Sequence, residues 1–319
     1  MRDETLMIAS MVVALGAAAG VTGAAAQTYP SRVVQIIVPT SAGSSADILG
    51  RVLADGFSSR LGKPFIVVDK PGANGVLGTA DVARASPDGY TLVHGATYSI
   101  TVQPLIDKQA GYTLKSFTPI CQTFKNDQVA VVPPNSPLKT VRDIIDTAKR
   151  KPGALNVAIP GIATIPHLAM IALADQAKAE FNDVPYKGPA EEMQAVRSGQ
   201  IDFAVVPLTA AAGSGLPMPG IFAEERNPAL PDVPTFKEQG YDIAPLSYGG
   251  LLGPAGMPAD VTAKLEAACI AIMKSDAAER VAKHTMQPAG YFADRAGFTK
   301  NLATDTAEKN RLVPLLHVQ

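Results

Sequence analysis

The chain is 319 residues long, which is more than one hydrophobic core usually fills and enough for two α/β domains. It carries 28 basic and 29 acidic residues and no basic stripe with interleaved aromatic residues, which argues against nucleic acid as a partner. The histidines and cysteines show no zinc-ligand spacing, so we expect no metal and no cofactor.

The N-terminus has the pattern of an export signal. The run over 6–26 is apolar and ends in GAAAQ, which fits the small-x-small cleavage rule of a secretory signal. We therefore predict a signal peptide over 1–26 and a periplasmic mature protein. Asp3 and Glu4 replace the usual positive charges, so an uncleaved anchor or a misplaced start stays open. No later run reaches the ~18 apolar residues of a membrane helix.

An alternation of strands and helices begins at residue 32. The apolar run VVQIIV has the length of a strand, and apolar residues over 49–61 then recur at helical spacing. Gly62 and Pro64 end that helix in the usual way. The strand FIVV, a helix over 76–85 and the strand YTLV follow. This βαβαβ order predicts a parallel, doubly wound sheet.

A second unit of the same kind follows. Its predicted elements are a helix over 141–151, a strand over 155–159, a helix over 166–178, a strand over 182–186, a helix over 189–198 and the strand IDFAVV. An apolar stretch over 248–254 and a helix over 260–274 come after it.

The two units predict a two-lobed α/β protein, with helices flanking a doubly wound sheet in each lobe. We assign 27–125 to the first lobe, 126–245 to the second, and 246–319 to a segment that returns to the first. The chain then crosses between lobes twice, and we expect a hinge at 122–132 and 242–250. Ligands in such sheets bind where loops leave the carboxyl ends of strands, which predicts a cleft between the lobes.

The loop VPTSAGSSAD, residues 38–47, is the first candidate site. It lacks the GK[ST] sequence of a phosphate loop. It comes closer to a nucleophile elbow, with Ser45 as the serine, but Asp47 stands where the sharp turn needs glycine. A hydrolase would also need a histidine base, and His94 and His167 qualify by residue type only.

A third interpretation of the loop is an anion cup. Gly43, Ser44 and Ser45 precede a helix, so their amides are expected to be unpaired and to favour a carboxylate. The alternative is that Ser44 or Ser45 is only the helix N-cap, with Asp47 a favourable acid of the first turn.

Several segments occur in the order seen in one family. They include YPSRVVQIIVPTSAGSSADILGR, VPYKGPAEEMQAVRSGQIDFAVV, NPALPDVPTFKEQGY and YGGLLGPAGMPADVTAKL. The chain thus resembles the Bug-type periplasmic solute receptors, the extracytoplasmic binding proteins of tripartite tricarboxylate transporters. The resemblance implies two α/β lobes with a closing cleft, a carboxylate ligand held largely by backbone amides, and membrane permease subunits as partners.

The resemblance also implies a set of binding positions in the loops of both lobes. They are Gly43, Ser44, Ser45, Asp47, Thr97, Tyr98, Gly161, Ile162, Ala163, Thr164, Ile165, Val206 and Tyr248. For Tyr248, core packing and ligand contact both stay open.

The departures from the family pattern indicate the ligand class. Ile159, Pro160 and Ile165 replace two serines and a threonine of the family, and Val206 stands where it often has an acid. Buried carboxylates or hydroxyls would lack partners there, whereas Tyr98 offers a ring for stacking. We expect an aromatic or otherwise largely apolar carboxylate in preference to citrate, malate or aspartate.

The expected function is therefore a monomeric, non-catalytic solute-binding protein. Two alternatives are an esterase-like cleft enzyme that uses Ser45, and a sensor that presents its closed form to a signalling partner. Single residues carry further expectations. We predict that Cys121 and Cys269 are unpaired buried thiols, and that Glu191 and Glu192 are surface acids of a first helical turn. His167 is expected to pack a helix start.

Overall fold

The computed structural model describes residues 28–243, 247–288 and 291–316. The predicted signal peptide lies outside these residues. Two five-stranded sheets, each flanked by helices, form two lobes, which confirms the predicted fold class. None of the helices in the described part of the chain has the length and apolar character needed to cross a membrane.

The strands alternate with helices along the chain. The strands are β1 Val34–Val38, β2 Phe65–Asp69, β3 Thr91–Ala96, β4 Phe117–Lys125, β5 Gln128–Val131, β6 Asn156–Ile159, β7 Asn182–Pro185, β8 Phe203–Pro207, β9 Gly220–Phe222 and β10 Tyr248–Pro254. The helices are α1 Ser45–Leu61, α2 Val76–Ala83, α3 Tyr98–Thr101, α4 Gln103–Ile106, α5 Val141–Arg150, α6 Ile165–Ala177, α7 Pro189–Arg197, α8 Leu208–Ala211, α9 Ala259–Met273, α10 Asp276–His284 and α11 Arg295–Leu312.

The strand order places the ends of β1, β2 and β3 together. The first sheet has the order β2-β1-β3-β10-β4, and β1 pairs in parallel with both β2 and β3. The second sheet has the order β7-β6-β8-β5-β9, in which β6 pairs in parallel with β7 and β8. In both sheets, loops that follow adjacent parallel strands therefore leave at one edge, where a ligand cleft is expected.

Helix α11 connects the two lobes. Phe298 and Leu302 near its start pack in the first-lobe cluster that contains Tyr248. Leu312 at its end packs in the main core cluster of the second lobe. On the exposed side, the Arg311 guanidinium lies 2.7 Å from the carboxylate of Asp175 in α6. The segment after β10 thus contributes to both cores.

The two cysteines form a disulfide, so the prediction of unpaired thiols is wrong. Cys121 in β4 and Cys269 in α9 are fully buried in one core cluster of the first lobe, with their Cα atoms 6.6 Å apart. The apolar sequence around each cysteine correctly indicated burial. It could not show that the two meet, because 148 positions separate them.

Candidate functional site

The first loop ends in a capped helix. Ser44 is the N-cap of α1, and its side chain accepts a hydrogen bond from the amide of Asp47. The carboxylate of Asp47 accepts in turn from the amide of Gly43, at 2.8 Å. The expectation of an unpaired Gly43 amide is therefore wrong, because Asp47 occupies that donor. The exposed Ser45 keeps an amide without a partner among the described residues.

Asp47 holds a negative charge at this helix start. Arg51 lies 2.8 Å from one carboxylate oxygen of Asp47 and 3.1 Å from Asp69. Burial opposes ionisation of Asp47, but the bonds from Gly43 and Arg51 outweigh it and hold the pKa of Asp47 below its usual value. An incoming anion would therefore meet a fixed negative charge in this loop.

His94 lies beneath the same helix and does not serve Ser45. Its Nδ1 is 3.1 Å from the carbonyl oxygen of Ala46, and its Nε2 is 2.8 Å from the hydroxyl of Thr123. Burial lowers the pKa of His94 to about 4. Both ring nitrogens are thus engaged in the core, which removes one of the two candidate bases for the esterase alternative.

A cavity of about 380 Å³ opens where β1, β2 and β3 end. Its lining residues are Pro39, Thr40, Ser41, Pro71, Gly72, Asn74, Gly75, Ala96, Tyr98 and Ser99. Of the predicted ligand-binding positions, Tyr98 lines it. The loop over 71–75 was not among the predicted binding positions. Its place after a strand of a parallel sheet was the available signal.

The backbone of this loop is tightly packed against the cavity wall. Gly75 has a φ of +87°, and a Cβ atom there would lie 3.3 Å from Ser99 and 3.4 Å from the carbonyl oxygen of Pro39. Ala73 and Asn74 also have positive φ angles, of 47° and 53°. Such backbone in non-glycine residues is uncommon and often marks functional loops.

Tyr98 connects the cavity to the second lobe. Its ring lines the cavity and packs against the second-lobe core cluster that contains Ala163. Its hydroxyl accepts a hydrogen bond from the side-chain amide of Gln103 at 2.6 Å. Thr97 beside it is buried and donates its hydroxyl hydrogen to the carbonyl oxygen of Tyr248. The Tyr98 hydroxyl only accepts in this bond, so its hydrogen can still be donated to a ligand.

The second-lobe loop is held by a histidine. Ala163 has a φ of +59°, and its amide donates to Nδ1 of His167 at 3.0 Å. Nε2 of His167 lies 3.2 Å from the carboxylate of Asp183, so the ring proton belongs on Nε2. Thr164 donates its hydroxyl hydrogen to the carbonyl oxygen of Gly161. The Ala163 amide is therefore unavailable to a ligand, and His167 is not free to act as a base.

The apolar residues that depart from the family pattern occupy different environments. Ile159 and Val206 are buried in two core clusters of the second lobe, and Ile165 lies at the start of α6. Ile162 is 58% exposed at the tip of its loop. The expectation that Ile159 and Val206 would face the ligand is therefore wrong, because both are buried in these cores. Tyr248 is buried, and its ring packs edge-on against Phe298 in the first-lobe core.

The two adjacent acids of α7 differ in environment. Glu191 is exposed and accepts a hydrogen bond from the amide of Lys187. Glu192 is fully buried, and neither of its carboxylate oxygens has a hydrogen-bond partner among the described residues. The prediction of a surface acid is thus wrong for Glu192. Glu192, Ala195 and Val196 are the buried residues of α7, and this helix packs on β8, β6 and α8.

A larger cavity, of about 920 Å³, lies between α6 and α11. Its charged lining residues are the acids Asp175, Glu224, Asp242, Asp305 and Glu308 and the bases Lys178, Lys309 and Arg311. The excess of acids disfavours a carboxylate ligand there. The smaller cavity beside Tyr98 is therefore the candidate binding site. Within the described ranges, no group of three or more His, Cys, Asp or Glu residues is arranged to hold a metal ion.

Two α/β lobes, joined by crossing segments and with a cavity at the ends of parallel strands, define the class of two-lobed solute-binding proteins. Residues 49–314 match the model of the tripartite tricarboxylate transporter family receptor, TctC. The chain belongs to this family of solute-binding receptors for tripartite transporters, and the resemblance to Bug-type receptors is confirmed.

Known proteins of this kind match over most of their length. The UPF0065 protein in the gbd 5′ region of Cupriavidus necator is 35% identical over 310 residues, which cover 96% of this chain and 94% of that protein. A TctC solute-binding protein from Polaromonas superposes with a TM-score of 0.82 at 29% identity, covering 91% of this chain and all of that one. The periplasmic binding protein BugD gives a TM-score of 0.71 at 25% identity, covering 91% of this chain and 99% of its own.

Proposed function

We propose that this protein captures an organic carboxylate in the periplasm and presents it to the membrane subunits of a tripartite transporter, without catalysing a reaction. The cavity bounded by Tyr98 is the observation that carries the proposal. It lies at the ends of three parallel strands, and one of its walls also packs on the second lobe. The lining of the cavity comes from the first lobe, and closure about the hinge would bring the second-lobe loop over 161–164 against a ligand bound there.

Backbone amides supply the donors for a carboxylate. The amides of Gly161, Ile162 and Thr164 in the second-lobe loop have no partner among the described residues and would reach the ligand when the cleft closes. A hydrogen bond to a charged acceptor contributes about 1.5–3 kcal/mol. Two or three such bonds are enough to fix a carboxylate without an arginine.

The proposed ligand is aromatic or otherwise largely apolar beyond its carboxyl group. Tyr98 lines the cavity, and stacking of a ligand ring on it would add roughly 0.5–1.5 kcal/mol beyond area burial. Ile162 exposes 58% of its surface at the loop tip, and closure of the cleft would cover it. We retain Tyr98, Gly161, Ile162 and Thr164 as ligand contacts of the closed form.

The remaining parts of the proposal concern the whole receptor. We propose that residues 1–26 direct export, that the chain divides at 125/126 and 245/246, and that it acts as a monomer. The esterase alternative is weakened because His94 and His167 are both engaged in hydrogen bonds away from Ser45. A sensor role would use the same ligand and the same closed form, and it differs only in the protein that recognises that form.

Calorimetry with purified mature protein tests the function. Benzoate-type acids are expected to bind and to raise the melting temperature, because a ligand that binds only the folded state stabilises it. Citrate, malate and aspartate are expected to bind more weakly by at least tenfold. Tight citrate binding without any response to aromatic acids would overturn the ligand class, and hydrolysis of activated esters with acylation of Ser45 would overturn the non-catalytic role.

A further inference from the structure

The cavity beside Tyr98 contains polar side chains that are already paired and others that are not. The hydroxyls of Thr40, Tyr98 and Ser99 are each hydrogen-bonded within the protein. The side-chain amide of Asn74 and the hydroxyl of Ser41 are exposed to solvent and have no protein partner among the described residues. These two groups can bind a ligand through both a donor and an acceptor, whereas the Tyr98 hydroxyl, which accepts from Gln103, keeps its hydrogen to donate.

The backbone at Asn74 favours few residue types. Its φ of 53° and ψ of 36° lie in the left-handed region, where glycine is most comfortable and asparagine is the best-tolerated residue with a side chain. Asparagine at this position keeps the loop geometry that glycine would also allow. In addition, it lines the cavity with a group that both donates and accepts hydrogen bonds.

We propose that Asn74 is a specificity-determining residue of the cleft. It hydrogen-bonds a hydroxyl, carbonyl or amide substituent that the bound carboxylate carries away from its carboxyl group, and Ser41 assists it. The inference rests on the proposed function, since it assumes a carboxylate in this cavity. A site with an unpaired polar group discriminates against analogues that lack the matching substituent, because binding then removes water from that group without replacing its hydrogen bond.

Matched pairs of acids test the proposal by calorimetry. The pairs are benzoate with 3- and 4-hydroxybenzoate, and hexanoate with 6-hydroxyhexanoate. The wild-type protein is expected to prefer a hydroxylated member by about five- to tenfold, the ratio that one neutral hydrogen bond supplies. Asn74→Gly is expected to bring that preference to within about twofold, by weakening the binding of the hydroxylated acid more than that of the unsubstituted acid. Ser41→Ala should reduce the same preference in part.

Lys178→Gly is the matched control, because Lys178 also has a positive φ, of 50°, but lies outside this cavity. It should leave both affinities as in the wild type. The proposal is overturned if Asn74→Gly and Ser41→Ala leave the preference intact or weaken both members of a pair equally. Absence of binding for all acids would instead contradict the proposed function and, with it, this inference. A melting curve of each variant verifies folding.

Discussion

Glu192 makes the stability of the protein depend on pH in a way that one substitution can isolate. The side chain is fully buried in the second lobe, and its carboxylate oxygens have no partner in the described part of the chain. Burial raises its pKa from 4.5 to about 7. Ionised Glu192 therefore destabilises the folded state, and protonated Glu192 is tolerated.

The sign and size of the effect follow from linkage. Between pH 4.5 and about 7 the folded protein holds a proton on Glu192 that the unfolded chain releases, so the free energy of unfolding falls as the pH rises. The whole shift corresponds to about 3 kcal/mol, which is lost by pH 8. Since relaxation or entry of water would reduce it, we expect a measured loss of about 1–3 kcal/mol.

Denaturant unfolding at pH 5 and pH 8 measures this contribution. We expect Glu192→Gln to remove most of the decrease in the free energy of unfolding between pH 5 and pH 8. The variant should therefore be more stable than the wild type at pH 8 and closer to it in stability at pH 5. Glu191→Gln is the matched control, because this exposed neighbour lies on the same helix. Parallel pH dependences for wild type and Glu192→Gln would refute the reasoning.

Three further predictions concern the disulfide, the cleft and its loop. The double substitution of Cys121 and Cys269 by serine should lower stability by about 2–4 kcal/mol, measured by unfolding against the oxidised wild type; equal stability would contradict a structural disulfide. Small-angle scattering should show a smaller radius of gyration at ligand saturation, and an unchanged profile would argue against hinge closure. His167→Leu should weaken carboxylate binding about tenfold in calorimetry. His167→Asn should weaken it less, because its side chain can accept the hydrogen bond of the Ala163 amide. If the two variants bind the carboxylate with the same affinity, the positioning role of His167 is contradicted.

Local patterns predicted most of the elements, because helix and strand periodicity depends on neighbouring residues. The predicted helix over 141–151 compares with Val141–Arg150 in the structure, and the helix over 260–274 with Ala259–Met273. The antiparallel insertion of β10 between β3 and β4 has no local signal, since it joins segments more than a hundred residues apart.

The candidate site was less predictable than the fold. The spacing of Ser44 and Asp47 is that of a helix-capping pair, so capture of a nearby amide by Asp47 had a signal in the sequence. The burial of Glu192 had none, because its position in a first helical turn is typical of solvated acids and only packing against other elements buries it. The same holds for Val206, whose alignment with a binding position of the family does not show which way it faces.

The candidate loops of the two lobes share one helix-cap geometry with opposite electrostatic consequences. In each, a residue with positive φ, Gly43 or Ala163, donates its amide to the side chain four positions later. That side chain is the ionised Asp47 in α1 and the imidazole of His167 in α6. The charge of Asp47 already offsets the dipole of α1, whereas His167 adds no negative charge at α6. We therefore expect the carboxyl group of the ligand beside α6 and its apolar part beside Tyr98. The His167→Leu variant tests this orientation, because a carboxyl group bound beside α1 would leave its affinity unchanged.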